Sequence, residues 1–280
     1  MKKAQVKQND PLNINKAAVH FTANYLINPA NPVTVHVIGA GGTGSRVITA
    51  LADMDNALTA LGHPGLQVTL FDSDTVSKAN LVRQRFATAE LGMNKAVARI
   101  NNINRWYGTN WKAVPELYNT QNIFRFRQPS ANVFISCVDK VSSRFEIAGI
   151  IKKLSAENEH DQSKPYYWVD FGNGKTTGQV ILSTIGKIEQ PKSEKFITVP
   201  YLPTIVEEYG ELLKQSETGD DTPSCSAAEA LSKQDLYINS SLCEMGCSLL
   251  YRLFRNGMTA NRGFFHNLAD FRTVPIKVVA

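Results

Sequence analysis

Apolar residues in this chain gather in short runs, and longer amphipathic stretches separate these runs. The run Val33–Ile38 is typical of a buried strand, and the stretch after it has apolar residues at helical spacing: Val47, Leu51, Met54 and Leu58. The apolar runs predict strands at 33–38, 67–71, 111–115, 132–138, 166–171 and 177–184. The amphipathic stretches predict helices at 43–61, 92–105, 119–127 and 141–155. This alternation predicts an α/β fold with a doubly wound, mostly parallel sheet and helices on both faces.

After Ile185 the alternation stops, and charged, proline and polar residues follow with little periodicity. We divide the chain into an N-terminal extension at 1–32, a core at 33–186, a crossover loop at 187–223, and a C-terminal part at 224–280 that completes the same domain. Within these parts we expect helices at 14–26, 206–214, 226–232 and 235–256 and a final strand at 274–279. The long crossover loop is a candidate lid.

The composition narrows the class of protein. A chain of 280 residues with 43% hydrophobic content can bury one large core. No apolar run is long enough to span a bilayer, and the first residues lack a signal-peptide stretch, so we expect no membrane association. The net charge of +5 is modest and spread along the chain, which does not favour a nucleic-acid partner. Four cysteines without framework spacing indicate a reducing, cytoplasmic location.

A glycine-rich turn joins the first predicted strand of the core to its helix. Its glycines are Gly39, Gly41, Gly42 and Gly44. Such a turn places free backbone N–H groups and a positive helix end against an anion, as in Rossmann-like folds. The next strand ends at Asp72, where a carboxylate can accept hydrogen bonds from both ribose hydroxyls. Together these features predict a nucleotide site.

The residues after Asp72 indicate which nucleotide is bound. Arg83 and Lys95 add two cations, and Asn80 and Gln84 add two amides. A triphosphate needs such cations to stabilise its charge during attack on the α-phosphorus. Asp139 follows another apolar strand, at the sheet edge where ligands bind, and is well placed to hold Mg²⁺. ATP with Mg²⁺ is therefore the favoured ligand.

Each of these residues also has a purely structural interpretation. Asp72 and Asn80 could cap a loop or a helix, and Arg83 and Lys95 could be solvated surface charges. Asp139 could pair on the surface with the arginine five positions later. The complete ordered set at predicted strand ends favours the functional interpretation, although Gln84 could serve only as support for its neighbours.

In these motifs the chain resembles the ThiF/MoeB/HesA family, which belongs to the superfamily of ubiquitin-activating enzymes. The matching residues are GAGGTG (Gly39–Gly44), Asp72, Asp74, NLVRQ (Asn80–Gln84), Gly92, Lys95 and CVDKVSSR (Cys137–Arg144). The likeness covers roughly 33–186 well and the C-terminal part more loosely. Within the family, the chain is most similar to the ThiF-type proteins of the plasmid-associated PRTRC gene module, notably around PSCSAAEAL and KQDLYINSSL.

The resemblance implies an activity. The core at 33–186 would be an adenylation core that uses ATP and Mg²⁺ to activate the C-terminal carboxylate of a partner protein. That partner would be a small ubiquitin-like or sulfur-carrier protein that ends in glycine. Arg83 and Lys95 would stabilise the triphosphate, Asp139 would hold the metal, and Asn80 would orient the reacting groups. Family members are dimers, so we expect a homodimer.

The cysteines have different expected roles. Cys225 stands where a helix should begin after the crossover loop, a position that lowers the pKa of a thiol. Relatives carry an acceptor cysteine in a comparable place, which implies a thioester or a persulfide at Cys225, whereas the alternative is a cysteine without chemistry. Cys137, Cys243 and Cys247 lie in apolar patterns and are predicted to pack in the core.

The chain also departs from the family pattern. It has no CxxC pair, so the structural zinc of many relatives is expected to be absent. The family's N-terminal RYxRQ stretch is missing, and no arginine precedes Arg46; Lys16 or another chain could supply that charge. Three alternatives stay open: a non-catalytic subunit that binds a modifier, an enzyme that activates a small carboxylate, and a Rossmann-type oxidoreductase that uses NAD.

Overall fold

The computed structural model describes residues 16–158, 162–216 and 234–280. The strands are β1 (Ala18–Phe21), β2 (Val33–Ile38), β3 (Leu66–Phe71), β4 (Lys112–Val114), β5 (Val133–Ser136), β6 (Tyr167–Asn173), β7 (Thr177–Thr184), β8 (Ile197–Thr198), β9 (Met258–Thr259), β10 (Asn261–Asn267) and β11 (Arg272–Lys277). The helices are α1 (Asn24–Ile27), α2 (Gly44–Ala60), α3 (Asn80–Arg83), α4 (Lys95–Tyr107), α5 (Thr120–Ile123), α6 (Val141–Glu157), α7 (Ile205–Ser216) and α8 (Ile238–Asn256), and Thr88–Glu90 forms a 3-10 turn.

An eight-stranded sheet organises the fold, in the order β11-β10-β7-β6-β5-β2-β3-β4. The strands from β6 to β4 pair in parallel, whereas β7, β10 and β11 extend the sheet antiparallel at the other side. Helices α2, α4 and α8 bury their apolar residues against one face, and α5, α6 and the start of α7 against the other. The predicted mostly parallel sheet with helices on both faces is therefore confirmed.

Most predicted core elements are present, with shifted ends. The helix predicted at 119–127 is only the short α5, and the helix predicted at 206–214 in the crossover loop is α7. The final strand is β11, and β10 is an additional strand that pairs with it as a hairpin. The helix predicted at 226–232 lies outside the described residues.

The helix predicted at 14–26 is wrong over most of its length, because Ala18–Phe21 form a strand. This strand, β1, pairs in parallel with β8 and antiparallel with β9, which forms a separate three-stranded sheet. The neighbouring residues Val19 and His20 point to opposite faces of the strand, and both are buried, so β1 is covered on both faces. The apolar spacing of the segment imitates a helix for this reason.

In the described residues, no helix is long and apolar enough to cross a membrane.

Candidate active site

The glycine turn follows β2 at the centre of the sheet, where β3 lies on one side and β5 on the other. Gly39 has a φ of +96°, and a Cβ there would lie 2.7 Å from the carbonyl oxygen of Cys137. A Cβ on Gly44 would lie 1.9 Å from the carbonyl oxygen of Gly39. Both positions therefore require glycine, and the turn packs closely against the end of β5 before α2 begins.

The carboxylate of Asp72 lies directly after β3 and is joined to this turn. Its Oδ2 accepts the backbone N–H of Ala40 at 2.6 Å, and its Oδ1 accepts that of Asp74 at 2.8 Å. Burial raises the pKa of Asp72, while these two hydrogen bonds and the nearby Lys95 lower it. Each oxygen keeps a further lone pair, so the group can still accept the two ribose hydroxyls.

The two predicted cations line the same cleft as Asp72. Lys95 is the first residue of α4, and its Nζ lies 2.8 Å from Oδ2 of Asp74. Arg83, at the end of α3, donates from Nη1 to Oε1 of Gln234 at 2.6 Å, and burial lowers its pKa. Gln84 also lines the cleft, and its Oε1 is buried without a hydrogen-bond partner.

Asp139 stands in the loop after β5, which pairs with β2 on the side away from β3, and it is exposed at the cleft. Arg144 ties this loop to β6. Its Nη2 donates to the carbonyl oxygen of Val138 in the loop at 2.8 Å and to that of Phe171 in β6 at 3.2 Å. Arg144 Nε in turn pairs with the buried carboxylate of Asp170 at 3.0 Å. Arg144 thus pairs with a buried strand residue and positions the Asp139 loop through the backbone.

These residues enclose a cleft of about 830 Å³ at the carboxyl ends of the parallel strands. This volume falls in the range of about 300–1,000 Å³ that small-molecule sites occupy. Of the predicted residues, those that line it are Gly39, Gly41, Gly42, Asp72, Arg83, Gln84, Lys95 and Asp139. Two predicted residues do not line the cleft. Gly44 packs against the backbone of Gly39 within the turn, and Oδ1 of Asn80 accepts the backbone N–H of Ser77 at 2.8 Å.

The donor set fits a magnesium ion that arrives with phosphates. No cluster of three His, Cys, Asp or Glu residues that could hold a metal occurs in the described parts of the chain. Mg²⁺ needs no such cluster, because it commonly binds one or two carboxylates together with substrate phosphates and water. The exposed carboxylate of Asp139 meets that requirement.

Cys225 lies outside the described residues, so its predicted role stays a prediction. Cys243 and Cys247 are buried in the core as predicted, whereas Cys137 is only half-buried: it packs against the core and also lines the cleft. Cys243 is fully buried, and burial raises the pKa of Cys137. The pKa of Cys247 is raised mainly by its hydrogen bond with Cys243, and burial raises it further.

Several cleft residues were not identified from the sequence. Those with a clear contact are Tyr118, Asn173, Gln234 and Asn239. Asp170 was not identified either; it is buried behind the cleft and binds Arg144, which lines it. Asp170 carried a signal, because a carboxylate inside the apolar run Tyr167–Phe171 requires a buried partner. The sequence held no such signal for the amides, because Gln234 forms a hydrogen bond with Arg83, which lies 151 positions away in the sequence.

The comparisons with known proteins agree with this architecture. The ThiF family profile matches residues 27–270. No curated protein matches the sequence.

Among solved structures, the crystal structure of PaaA aligns with a TM-score of 0.55 at 15% identity, over 88% of this chain and 64% of that chain. E. coli MccB solved with MccA aligns with a TM-score of 0.55 at 13% identity, and E. coli MccB solved with ATP with 0.54 at 13%, each over 90% of this chain and 64% of that chain. At these identities the likeness concerns the fold, and the chain spans 64% of the length of these solved proteins. Because the family profile covers most of its residues, this chain belongs to the ThiF family.

Proposed function

We propose that this protein is an adenylyltransferase that activates the C-terminal carboxylate of a small ubiquitin-like or sulfur-carrier protein. One observation carries the proposal: Asp72, Arg83, Lys95 and Asp139 line a single cleft beside a glycine turn. A ribose-binding carboxylate with two cations and a metal-binding carboxylate suits ATP better than NAD, which gives no role to Arg83 and Lys95.

In this reaction the glycine turn and the start of α2 hold the phosphates, and Asp72 holds the ribose. A carboxylate oxygen of the terminal glycine attacks the α-phosphorus, the bond to the bridging oxygen breaks, and pyrophosphate leaves. The product is an acyl adenylate. The attacking carboxylate is already ionised near neutral pH, so no general base is required. Arg83 and Lys95 stabilise the charge on the leaving pyrophosphate, and Asn80 is proposed to help orient the reacting groups.

Asp139 would hold Mg²⁺, which when bound neutralises phosphate charge. Asp139 is exposed and lines the same cleft as Asp72, and although its Oδ1 accepts the backbone N–H of Lys140 at 2.9 Å, the carboxylate keeps lone pairs for a ligand. Arg144 keeps this loop in position through the carbonyl oxygen of Val138.

A second step is proposed at Cys225. Its thiolate would attack the acyl carbonyl of the adenylate, AMP would leave, and a thioester would remain. We also propose that the protein acts as a homodimer in the PRTRC gene module. A neighbouring reading frame for a small ubiquitin-like protein that ends in glycine would identify the partner.

The solved relatives support a nucleotide and a second substrate on this fold. E. coli MccB has been solved with ATP and with MccA. For the present chain both the nucleotide and the partner remain part of the proposal.

The test measures exchange of labelled pyrophosphate into ATP by the purified protein with a glycine-terminated ubiquitin-like protein. We expect exchange with this partner and none when its terminal glycine is deleted. Arg83→Ala and Asp139→Ala are each expected to lower the exchange rate by about 100-fold or more, because each removes charge stabilisation. Asp53→Ala, which removes a carboxylate on α2 that binds Tyr107, is the matched control.

Two outcomes would overturn the proposal. One is exchange that survives Arg83→Ala and Asp139→Ala unchanged. The other is tighter binding of NADH than of ATP in a fluorescence titration, which would indicate an oxidoreductase. Absence of exchange together with tight binding of the partner protein would instead establish the non-catalytic alternative.

A further inference from the structure

A chain of side-chain amides connects the glycine turn to Arg83. Oε1 of Gln234 lies 2.6 Å from Nη1 of Arg83 and 2.9 Å from Nδ2 of Asn239. Oδ1 of Asn239 lies 2.9 Å from Oγ1 of Thr43 and 3.2 Å from Nδ2 of Asn173. Gln234, just before α8, thus contacts the cation at the end of α3, and Asn239, in the first turn of α8, contacts the glycine turn.

The orientation of each amide follows from the chemistry of Arg83. A guanidinium can only donate, so Gln234 must present its oxygen to Arg83. The group of Asn239 that approaches the same oxygen must then be its N–H₂. This leaves Oδ1 of Asn239 to accept from Thr43 and Asn173. The donor and acceptor of every hydrogen bond in this series of amides therefore follow from the fact that Arg83 can only donate.

Asn239 is also fixed by packing. It is 1% exposed, and a Cβ on Gly42 would lie 2.6 Å from its Nδ2. The amide thus occupies the space that the missing side chain of Gly42 leaves. Because Asn239 cannot rotate freely there, the hydrogen bond that it donates holds Gln234 in one position.

The partner of Arg83 is neutral. Within the described residues Arg83 forms no ion pair, and its Nε is buried without a hydrogen-bond partner. A carboxylate in place of Gln234 would bind the guanidinium more strongly but would cancel its charge. An amide oxygen orients the group and leaves the full positive charge for an incoming anion.

We infer that Gln234 is a positioning residue that orients Arg83 toward the outer phosphates of ATP, and that Asn239 holds Gln234 for this task. The inference rests on the proposed function and extends it, because it assigns the segment from Gln234 to the first turn of α8 to recognition of the triphosphate. Gln234 makes no contact with the reacting atoms in this assignment; it acts through Arg83.

The discriminating variant is Gln234→Glu, which keeps the shape and the hydrogen bond to Arg83 while adding a negative charge. Titration calorimetry with ATP and with AMP measures its effect on the protein. We expect ATP binding to weaken about tenfold or more and AMP binding to change less than about twofold, since AMP lacks the outer phosphates. The loss is expected to shrink as the pH falls and the new carboxyl group takes up a proton.

Gln67→Glu is the control, because Gln67 donates to the carbonyl oxygen of Asn110 at the opposite end of β3. Thermal unfolding of both variants checks that the fold is retained. The inference is refuted if Gln234→Glu binds ATP like Gln67→Glu, or if it loses ATP and AMP affinity equally, which is the result expected of a merely structural residue. A wild-type protein that binds no ATP would refute the proposed function itself, and this inference with it.

Discussion

The buried carboxylate of Asp170 shows how one residue organises several others. Its Oδ1 accepts from Oγ of Ser136 at 2.5 Å, and both oxygens accept from Nε of Arg144. Ser136 in turn accepts the indole N–H of Trp168 at 2.7 Å. Because all four side chains are buried, each depends on the others for its hydrogen bonds.

Asp170→Asn is expected to lower the free energy of unfolding by roughly 3 to 5 kcal/mol, because it leaves the charge of Arg144 buried and unpaired. Urea unfolding measures this as a lower midpoint. Lys214→Ala, which breaks an exposed pair with Glu211, should cost less than about 1 kcal/mol. Equal midpoints for the two variants would contradict the structural role assigned to Asp170.

Two further variants distinguish the proposed contact with the ribose from the proposed contact with the phosphates. Asp72→Ala is expected to weaken AMP and ATP by the same factor, about 10- to 100-fold, since both nucleotides carry the ribose. Lys95→Ala is expected to weaken ATP alone. Titration calorimetry checks both, and a Lys95→Ala protein that loses AMP affinity as strongly as ATP affinity would show that the cation has another task.

At the scale of elements, the start of α4 is tied to the loop after β3. Oδ1 of Asn94 caps the helix by accepting the N–H of Val97 at 3.0 Å. Its Nδ2 donates to the carbonyl oxygens of Asp72 at 2.8 Å and Asp74 at 3.1 Å. One side chain thus caps the start of the helix and holds the backbone at Asp72 close to Lys95.

The glycine turn predicts opposite results for two similar substitutions. Gly44→Ala is expected to destabilise the fold by about 3 kcal/mol or more, because the new Cβ would collide with the backbone oxygen of Gly39. Gly41→Ala meets no atom within 4 Å and should fold like the wild type. Its methyl group would occupy the cleft, so ATP binding should weaken by about tenfold. Thermal unfolding and calorimetry together test the pair; a destabilised Gly41→Ala would contradict it.

The sequence was most informative where a local pattern determines the element. Strand ends followed by Asp72 and Asp139, and the glycines between strand and helix, identified the cleft because parallel strands present their carboxyl ends at one edge. Strand β1 could not be predicted, since its two partners, Ile197–Thr198 and Met258–Thr259, lie far away in sequence. The roles of Gln234 and Asn239 could not be predicted for the same reason. An amide side chain shows no recognisable sequence pattern when its hydrogen-bond partner lies far away in the sequence.

At the scale of the whole molecule, two buried histidines link stability to pH. His36 packs among the rings of Phe71, Tyr118 and Phe134, and burial lowers its pKa to about 3. His20 binds the hydroxyl of Tyr167 and the carbonyl oxygen of Val199, and burial also lowers its pKa. His36 is therefore neutral in the folded protein near pH 6, and His20 takes up a proton less readily than an exposed imidazole.

Below about pH 6.5 an unfolded histidine takes up a proton, whereas His36 in the folded state does so only near pH 3. The stability that depends on neutral His36 is therefore present above pH 6.5 and is lost as the pH falls toward 3, by up to about 1.4 kcal/mol per pH unit. His36→Phe should reduce this slope in urea unfolding between pH 7.5 and 5. Val68→Ala, a neutral core change, should lower stability equally at each pH; an unchanged slope in His36→Phe would contradict the assignment.

The three-stranded sheet formed by β1, β8 and β9 has a consequence for synthesis on the ribosome. Strand β1 emerges first, but its partners Ile197–Thr198 and Met258–Thr259 are translated much later. Until then the backbone of Ala18–Phe21 lacks its partners, so a strand that is translated before both of them pairs late. We expect a nascent chain arrested before residue 258 to leave this segment open to proteases, which a released chain that contains both partners would protect.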